Sequence, residues 1–511
     1  MITSFLSLQE PSTPVHVKLA DYGISRLTLP SGSKGFGGTE GFMAPEMMRY
    51  NGEEEYTEKV DCFSFGMFIY ELLTLHQPFE GHESVKECIL EGGRPPLTHR
   101  ETLYPSCILD LMVLCWTQQP RDRPSASQIV SMASSPEFTQ LCDCTALDHS
   151  GNVNAAAAAS VISKHDDNYS RAEMWLVGDT RIDLLIASEH GWQSYGAIPF
   201  SIPTTAVAQV NNEIWVGDKE GNLHAYQNGT CASLWNYSLG DAPVVDILPL
   251  EGFNRVAIGL ENGRLFLVRD DVSPSSQFMA EGSFVMTELG SSEHLYSLTN
   301  LKVDKNVSEL WIGEATGFIS IFTIRDEIVS GHDRVNHYNP IIEKVERVHL
   351  VSYNGEGIYS HVYPGCMVYQ WDTETREISS TLDCTKLVPC SESLKPLTIE
   401  DLSEKCQVTS MAVFDGCVYV GTAWGCVVVA EKSTLYPITV FRPFEEEVKF
   451  IIPLFTSEEN KRKKNEMIVL AGKGYRSLAA RNTDMVLTPS TSSPTQPRKL
   501  HVHLLLWKHS H

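Results

Sequence analysis

The sequence predicts a mainly α-helical unit followed by an all-β unit. The chain has 511 residues, whereas a single hydrophobic core rarely grows beyond about 250–300 residues, so two or three domains are expected. The stretch Val60–Leu73 is apolar on every side, which predicts a helix buried inside a domain. In the second part of the chain, short aliphatic strands recur seven times. We assign residues 1–145 to the first unit, 146–170 to a linker and 171–511 to the second unit.

Composition restricts the environment and the partners of the chain. Forty Lys and Arg residues against 64 Asp and Glu residues give a formal net charge of −24, which argues against binding nucleic acid through charge. The 13 cysteines show no paired metal-ligand spacing, and a core of this size does not need a disulfide framework. There is no signal-peptide pattern, and no apolar run reaches the roughly 20 residues that span a bilayer. We expect a cytoplasmic protein with reduced thiols, no nucleic-acid partner and no transmembrane segment.

Two motifs near the N-terminus have an informative spacing. Val15–Ala20 alternates and is rich in β-branched residues, so it predicts a short strand. Asp21-Tyr22-Gly23 follows it directly, and Gly38-Thr39 with Ala44-Pro45-Glu46 comes after a polar, glycine-rich stretch. An Asp-aromatic-Gly triplet alone is common and would be explained by a turn. Placed before Gly-Thr and Ala-Pro-Glu, it resembles the activation segment of a protein kinase.

The residues after this segment agree with that resemblance. The apolar helix resembles the central helix of a kinase C-lobe, where the aspartate matching Asp61 holds the backbone of the catalytic loop. Cys115-Trp116, followed by Arg123 between prolines, resembles the closing signature of tyrosine-kinase-like kinases. Ser125 and Gln128 then fit a capping box that begins the last helix. The first unit is therefore predicted to be part of a protein-kinase C-lobe.

The resemblance implies a role for each matching residue. The aspartate matching Asp21 carries Mg²⁺, because a kinase mainly positions phosphates and neutralises charge, and Gly23 is the hinge of the triplet. Tyr22 is a packing residue or, alternatively, its hydroxyl biases the position of the triplet. Glu46 and Arg123 are expected to form a buried ion pair that ties the activation segment to the lobe. The other activation-segment positions are Ser25, Thr28, Ser31, Ser33, Thr39, Ala44 and Pro45, of which Thr39 is expected to line the pocket beside the substrate hydroxyl.

Several parts of a kinase active site are not found in this sequence. Residues 1–20 contain no glycine-rich phosphate loop, no strand lysine with its partner glutamate and no His-Arg-Asp-type catalytic loop. The catalytic base and the catalytic lysine are missing, so no catalytic residue is assigned. Of the two magnesium-holding positions, only Asp21 is present. We expect neither ATP nor Mg²⁺ to bind this chain alone.

A repeat runs through the second unit. Each copy has an aliphatic pair followed by a small residue, and then a polar turn and another apolar strand. The copies are Met174–Gly178, Glu213–Gly217, Val256–Gly259, Leu310–Gly313, Gly357–Ser360, Val418–Gly421 and Ile468–Gly472. The spacing predicts a seven-bladed WD40-type propeller with one Trp-Asp dipeptide, Trp371-Asp372. The recurring glycine is expected to fit where inner strands crowd the central channel. A β-sandwich of repeated hairpins is the alternative, and six or eight blades remain open.

Three segments have alternative interpretations. Residues 146–170 form either a linker or the first outer strand. Thr488–Pro497 is rich in Ser, Thr and Pro, and is either a tolerated insertion in the last blade or a segment with phosphorylation sites. His501–Trp507 turns abruptly apolar, so we predict a strand that closes the propeller, since an exposed apolar tail would favour aggregation. A tail that docks on a partner or a membrane is the alternative.

The order of the two units is similar to that of the leucine-rich-repeat kinases of the ROCO family, and Leu19–Ser25 matches their motif closely. This resemblance implies a tyrosine-kinase-like Ser/Thr kinase that uses ATP and Mg²⁺, acts on small GTPases of membrane traffic and dimerises in full-length members. The second hypothesis is an interaction scaffold, in which the propeller binds proteins and the kinase remnant is either a docking lobe or an unfolded tail. Peripheral membrane association is compatible with both hypotheses.

Overall fold

The structure is a computed structural model. It describes residues 39–49, 55–98, 101, 104, 106–133, 141–147, 152–163, 166–188, 191–250, 253–269, 284–288, 294–325, 328–337, 347–353, 355–387, 404–414, 416–457, 464–474 and 501–508. The chain divides into two compact units. The described residues of the first unit lie within 39–133, and those of the second begin at residue 141. The strand predicted over Val15–Ala20 and the Thr488–Pro497 segment lie outside the described residues.

Five α-helices and two 3-10 turns make up most of the described part of the first unit. The helices are α1 (Pro45–Arg49), α2 (Lys59–Thr74), α3 (Val85–Leu90), α4 (Ser106–Cys115) and α5 (Ala126–Ala133), and the turns are Glu40–Phe42 and Pro120–Asp122. The first unit is therefore mainly α-helical, as the sequence predicts.

The core of the first unit lies where α2 packs against α4. Met67 of α2 and Met112 of α4 are fully buried in one cluster. Gly66 allows the close approach, because a Cβ at this position would lie 3.0 Å from the Cβ of Cys115. The opposite face of α2 is different, since Leu72 is 57% exposed. The prediction that α2 is buried on every side is therefore wrong for this face, because only part of the helix surface packs against the core.

The start of α5 has the predicted capping box. The Ser125 backbone N–H donates to Gln128 Oε1 at 2.8 Å, and the Gln128 N–H donates back to Ser125 Oγ at 3.3 Å. Two backbone donors that the helix itself leaves unpaired are satisfied in this way. The prediction is confirmed.

The described strands of the second unit form seven four-stranded antiparallel sheets. Blade 1 is β2 (Val153–Ser163), β3 (Asp166–Gly178), β4 (Arg181–Ser188) and β5 (Gly191–Pro199); blade 2 is β6 (Thr204–Val210), β7 (Glu213–Asp218), β8 (Asn222–Gln227) and β9 (Ser233–Ser238); blade 3 is β10 (Val244–Leu250), β11 (Arg255–Leu260), β12 (Arg264–Arg269) and β13 (Phe284–Glu288). Blade 4 is β14 (Leu295–Asp304), β15 (Val307–Glu314), β16 (Phe318–Arg325) and β17 (Ile328–Asn336); blade 5 is β18 (Arg347–Tyr353), β19 (Glu356–Tyr363), β20 (Met367–Trp371) and β21 (Ile378–Asp383); blade 6 is β22 (Val408–Phe414), β23 (Cys417–Thr422), β24 (Val427–Glu431) and β25 (Pro437–Phe441). Blade 7 is β26 (Val448–Ser457), β27 (Lys464–Lys473), β28 (Val502–Lys508) and β1 (Leu141–Ala146).

The seven sheets close into a ring. The first strand of each blade contacts the first strand of the next, and β26 of blade 7 contacts β2 of blade 1. In blade 5 the Trp371 Nε1–H donates to Ser360 Oγ at 2.8 Å, and His337 Nε2 lies 2.8 Å from the same oxygen. The predicted seven-bladed propeller is confirmed, and the sandwich alternative is wrong.

The recurring glycine has a different role from the predicted one. It lies on the second strand of its blade, not on the inner strand beside the channel. A Cβ at Gly217 of β7 would lie 2.5 Å from the Cβ of Val244, the first residue of β10 in the next blade. Gly421 of β23 stands in the same relation to Val448 of β26, at 2.6 Å. The glycine is therefore needed for the contact between neighbouring blades.

Blade 7 is assembled from both ends of the second unit. β28 pairs with β27 on one side and with β1 on the other, so the predicted closing strand is confirmed. Leu504 and Leu506 are fully buried and Trp507 is 3% exposed. The linker predicted over 146–170 does not match the described structure, because that range contains β2 and part of β3, and β2 is an inner strand rather than an outer one.

A buried Glu-x-Trp contact recurs in three blades, and the sequence analysis did not detect it. On β3, β7 and β15 a glutamate Oε2 accepts from the indole N–H of the tryptophan two residues later. The pairs are Glu173 and Trp175 at 3.3 Å, Glu213 and Trp215 at 2.9 Å, and Glu309 and Trp311 at 3.0 Å. The carboxylate satisfies a buried donor, which is costly to leave unpaired.

Candidate functional site

The described part of the first unit contains six of the residues singled out from the sequence. They are Thr39, Ala44, Pro45, Glu46, Asp61 and Arg123. The other activation-segment positions lie outside the described residues. These are Asp21, Tyr22, Gly23, Ser25, Thr28, Ser31 and Ser33.

Arg123 uses every one of its side-chain donors. Its Nη1 and Nη2 donate to Glu46 Oε1 and Oε2 at 2.7 and 2.9 Å, which makes a bidentate pair. The remaining donors reach backbone carbonyls of Thr117 at 2.7 Å, Lys59 at 3.0 Å and Gln118 at 3.2 Å. The arginine side chain is fully buried, whereas that of Glu46 is 20% exposed. A guanidinium with five matched donors is held in one orientation, so this contact fixes α1 against the C-terminal part of the unit.

A second guanidinium lies close to Arg123. The Cζ atoms of Arg94 and Arg123 each lie 5.0 Å from the centre of the Phe63 ring. Arg94 donates to the Trp116 carbonyl through Nε at 2.8 Å and to Gln118 Oε1 through Nη2 at 2.8 Å. Burial, with the Arg123 charge second, lowers the pKa of Arg94 to about 10. Glu46 is therefore an important counterion in a positively charged region.

The segment before α1 is fixed to α2. The Phe42 N–H donates to the Thr39 carbonyl at 2.9 Å, which makes the first turn. Ser64 Oγ of α2 donates to the Phe42 carbonyl at 2.8 Å. Met43 and Ala44 are buried at 5% and 0% exposure, whereas Thr39 is exposed. The Thr39–Ala44 segment therefore runs from an exposed start to a buried end.

Two further contacts connect this region. Lys59 Nζ donates to the Arg123 carbonyl at 2.6 Å, so the chain around Arg123 is bonded to α2 from two directions. Asp61 lies in the first turn of α2 with an exposed side chain, and desolvation raises the pKa of its carboxyl. No hydrogen bond to the Asp61 carboxyl is seen among the described residues, so its predicted role toward a catalytic loop stays a prediction.

The sequence analysis missed Lys59, Ser64 and Arg94. None of them belongs to a recognisable sequence motif. Each side chain donates to a backbone carbonyl, and the position of that carbonyl depends on the fold. Only the position of Ser64 on α2 could have suggested a contact with the segment before α1.

The described residues contain no group of three or more His, Cys, Asp or Glu side chains arranged to hold a metal ion. Asp21, the residue that the resemblance assigns to Mg²⁺, lies outside them. None of the helices that the structure describes has the length and apolar character needed to cross a bilayer.

These two units define the class of the protein: part of a protein-kinase C-lobe joined to a seven-bladed propeller. The model of the protein kinase domain matches residues 8–133, and the model of the LRRK2 beta propeller matches residues 250–487. A leucine-rich repeat serine/threonine-protein kinase 1 from Caenorhabditis elegans is 35% identical over 465 residues, which is 89% of this chain and 19% of the relative. The chain is therefore similar to leucine-rich repeat serine/threonine-protein kinases over most of its length.

Other relatives match the first unit. A leucine-rich repeat serine/threonine-protein kinase 1 from Mus musculus is 39% identical over 126 residues, covering 24% of this chain and 6% of the relative. The probable serine/threonine-protein kinase roco11 of Dictyostelium discoideum is 36% identical over 132 residues, covering 25% of this chain and 8% of the relative. The chain thus spans about a fifth or less of the length of these relatives.

Proposed function

We propose that this chain is the C-terminal part of an ATP-dependent protein Ser/Thr kinase that acts on small GTPases of membrane traffic. The first unit contributes the surface that aligns the substrate, and Thr39 lies beside the substrate hydroxyl. The observation that carries the proposal is the bidentate Glu46–Arg123 pair, because it holds the Thr39–Ala44 segment on a fixed base. Rigid placement of the reacting groups supplies a large part of catalysis in phosphoryl transfer.

ATP and Mg²⁺ belong to the complete family enzyme in this proposal, with Asp21 as one Mg²⁺ ligand. The chain alone is inactive, because its sequence has no phosphate loop, no catalytic lysine and no catalytic base. The metal supplies charge neutralisation on the transferred phosphoryl group when it is bound. The described residues of the first unit align the substrate peptide and hold it in one orientation.

The test uses this chain and a chimera in which the preceding kinase segment of the Caenorhabditis elegans relative is fused before residue 8. Each protein is incubated with labelled ATP and a small GTPase of membrane traffic. We expect no incorporation by the chain alone, and incorporation by the chimera that disappears in its Asp21→Ala variant. Asp21-dependent incorporation by the chain alone, or none by a folded chimera, would contradict the proposal.

A second candidate function is a protein-binding platform formed by the propeller. The closed ring of blades favours it, since a ring of this kind presents two rigid faces of loops to partners. In this proposal the chain acts in the cytoplasm and associates peripherally with membranes, and full-length family members form dimers. Partner capture that persists in the Asp21→Ala chimera supports the platform, and capture that requires kinase activity contradicts it.

A further inference from the structure

Side-chain hydrogen bonds connect the inner strands of neighbouring blades, at contacts that we call seams. At the seam of blades 2 and 3, Thr205 Oγ1 donates to the Val244 carbonyl at 2.6 Å. At the seam of blades 6 and 7, Thr409 Oγ1 donates to the Val448 carbonyl at 2.7 Å. In both seams a neutral hydroxyl reaches the carbonyl of the first residue of the next inner strand. The bond joins two sheets that share no strand pairing.

The seam of blades 4 and 5 uses a hydroxyl as both donor and acceptor. Ser297 Oγ of β14 donates to the Val348 carbonyl at 3.0 Å and accepts from the Leu350 N–H at 3.0 Å. Ser297 lies opposite Gly313, the recurring glycine of that blade. A hydroxyl can make both bonds because it carries one proton and two lone pairs.

Asp246 occupies the corresponding place in blade 3. It lies opposite Gly259 of β11, as Ser297 lies opposite the glycine of its own blade. Its Oδ2 accepts from the Leu298 N–H of blade 4 at 2.9 Å, and its Oδ1 accepts from the Ile247 N–H at 2.9 Å. An ionised carboxylate only accepts hydrogen bonds, so it cannot donate to the next blade as the hydroxyls do. A protonated carboxyl can, because it has one O–H donor.

The carbonyl that corresponds to the acceptor in the other seams is that of Leu295, the first residue of β14. A Cβ at Gly259 would lie 3.2 Å from Leu295 Cδ1. In the seam of blades 6 and 7, a Cβ at Gly421 would lie 2.6 Å from the Cβ of Val448. Leu295 therefore stands next to its glycine as Val448 does, and the Val448 carbonyl is the one that accepts a hydroxyl bond.

Burial, rather than a charged neighbour, sets the protonation of Asp246. Burial raises the pKa of its carboxyl to about 6, and the N–H groups of Leu298 and Ile247 oppose that rise. β10 carries no other charged side chain and β6 carries none. The titratable side chains on the other elements beside β10 and the start of β14 are Glu213 and Asp218 of β7, Arg255 of β11, Tyr296, Lys302 and Asp304 of β14, and Glu261 and His294 of the adjoining turns. None of them contributes to the shift, so the seam itself holds the proton.

We propose that Asp246 is a proton-controlled latch of the seam between blades 3 and 4. When the carboxyl is protonated, its O–H donates to the Leu295 carbonyl while the other oxygen accepts from Leu298. When the proton leaves to water, the donated bond is lost and the carboxylate faces a carbonyl oxygen. This seam is therefore tighter at acidic pH than at neutral pH, whereas the seams closed by hydroxyls do not respond to pH.

The direction of the effect follows from proton binding. Because the pKa of Asp246 in the folded propeller lies above the ordinary value of about 3.9, the folded state holds the proton more tightly than the open state does. The stability that this proton supplies is complete below about pH 4 and is lost as the pH rises through about 6. Between pH 4.5 and pH 7.5 the opening equilibrium of this seam should increase about twentyfold.

Hydrogen exchange measured by mass spectrometry tests the latch on the full chain. The protein is compared with Asp246→Asn, whose neutral amide both donates and accepts, at a series of pH values. At each pH the chemical exchange rate and the other titrating groups cancel in the ratio of the two proteins. For β10 and β14 we expect this ratio to rise about twentyfold from pH 4.5 to pH 7.5, and for β22 and β26 to stay near one. A flat ratio in β10 and β14, or an equal rise in all four strands, overturns the proposal.

Two further variants separate the latch from a general effect of substitution. Asp241→Asn, at an exposed aspartate just before β10, is the matched control and should exchange like the parent protein at every pH. Asp246→Ser introduces the side chain that closes the seam of blades 4 and 5, and should remove the pH response as Asp246→Asn does. Melting curves show whether the variants are folded. Failure of both neutral variants to fold would also overturn the proposal, because the protonated latch requires that a neutral side chain fits this place.

Discussion

The two units are each held by a contact between segments that are distant in the sequence, but the contacts differ in kind. In the first unit, Glu46 and Arg123 lie 77 residues apart and meet as a charged pair with five matched donors. In the propeller, β1 and β28 come from the two ends of the unit and meet as an apolar strand pair. One contact is concentrated in a single side chain, whereas the other is spread over a whole strand.

This difference predicts what each unit tolerates. A buried charge that loses its partner remains as an uncompensated charge, so one substitution should be enough to destabilise the first unit. A strand pair loses a little with each side chain, so the propeller should tolerate single changes and fail when the strand is removed. The predictions below test this contrast, beginning with the largest expected effect.

Truncation after Pro497 removes β28 and should destabilise the propeller most strongly. Burial of Leu504, Leu506 and Trp507 contributes about 1.5–3 kcal/mol each, which together is a large part of a typical net stability of roughly 5–15 kcal/mol. We expect a sharp fall in the soluble fraction and a lower melting temperature. Truncation after Lys508 keeps the strand and is the control. If the protein truncated after Pro497 stays monodisperse and keeps its melting temperature, the segment is better explained as a docking tail.

Arg123→Ala should destabilise the first unit by about 3–5 kcal/mol, because the carboxylate of Glu46 and several carbonyls lose their donors. The matched control is Arg121→Ala, two residues away, whose side chain is 85% exposed. Chemical denaturation followed by circular dichroism measures the effect on helical signal. Equal stability of the two variants would show that the pair does not hold the unit together.

Acid should weaken the propeller through buried histidines. Burial lowers the pKa of His337 to about 4, below its ordinary value. A lowered folded-state pKa gives stability that is present above about pH 6.5 and is lost as the pH falls toward 4, up to about 3 kcal/mol for this residue.

The variant His337→Gln removes the titrating ring and should make the loss of stability between pH 6.5 and pH 4 shallower. The exposed His501→Gln is the control and should leave the slope unchanged. Urea denaturation at a series of pH values measures both. A slope that His337→Gln does not change would contradict a buried neutral imidazole at this position.

Gly217→Ala should have the smallest effect, about 1–3 kcal/mol, because the added methyl lies against Val244 of the next blade and must displace it. Gly196→Ala is the control, since nothing lies within 4 Å of a Cβ at that position. We expect Gly217→Ala to melt at a lower temperature than Gly196→Ala. Equal melting would mean that blades 2 and 3 adjust without cost.

The parts of the structure that follow a local pattern could be predicted from the sequence. Each repeat copy falls on the second strand of a blade, because an aliphatic strand and its glycine are encoded within a few residues. The capping box of α5 is local in the same sense. The pairing of Glu46 with Arg123 came from the order of motifs, and the structure places the two side chains in contact.

The parts that depend on distant partners could not be predicted. β1 has the short sequence Leu-Cys-Asp-Cys-Thr-Ala, which has no strong strand pattern, and it becomes a strand because β28 offers an edge. The buried bond that Ser308 Oγ donates to Asn300 Oδ1 depends on how β14 pairs with β15. The residue types can be read from the sequence, whereas the strand pairing and the hydrogen bond form only in the folded propeller.

Hydrogen exchange measured by mass spectrometry tests the contrast between the two units most directly, because it reports the opening of each region separately. It is applied to the full chain, to Arg123→Ala and to the chain truncated after Pro497. We predict that Arg123→Ala speeds exchange in α2 and α4 and leaves the propeller strands protected. Truncation should speed exchange in β26 and β27 and leave α2 and α4 protected. If either change speeds exchange equally in both units, or if Arg123→Ala leaves α2 unchanged, the account is contradicted.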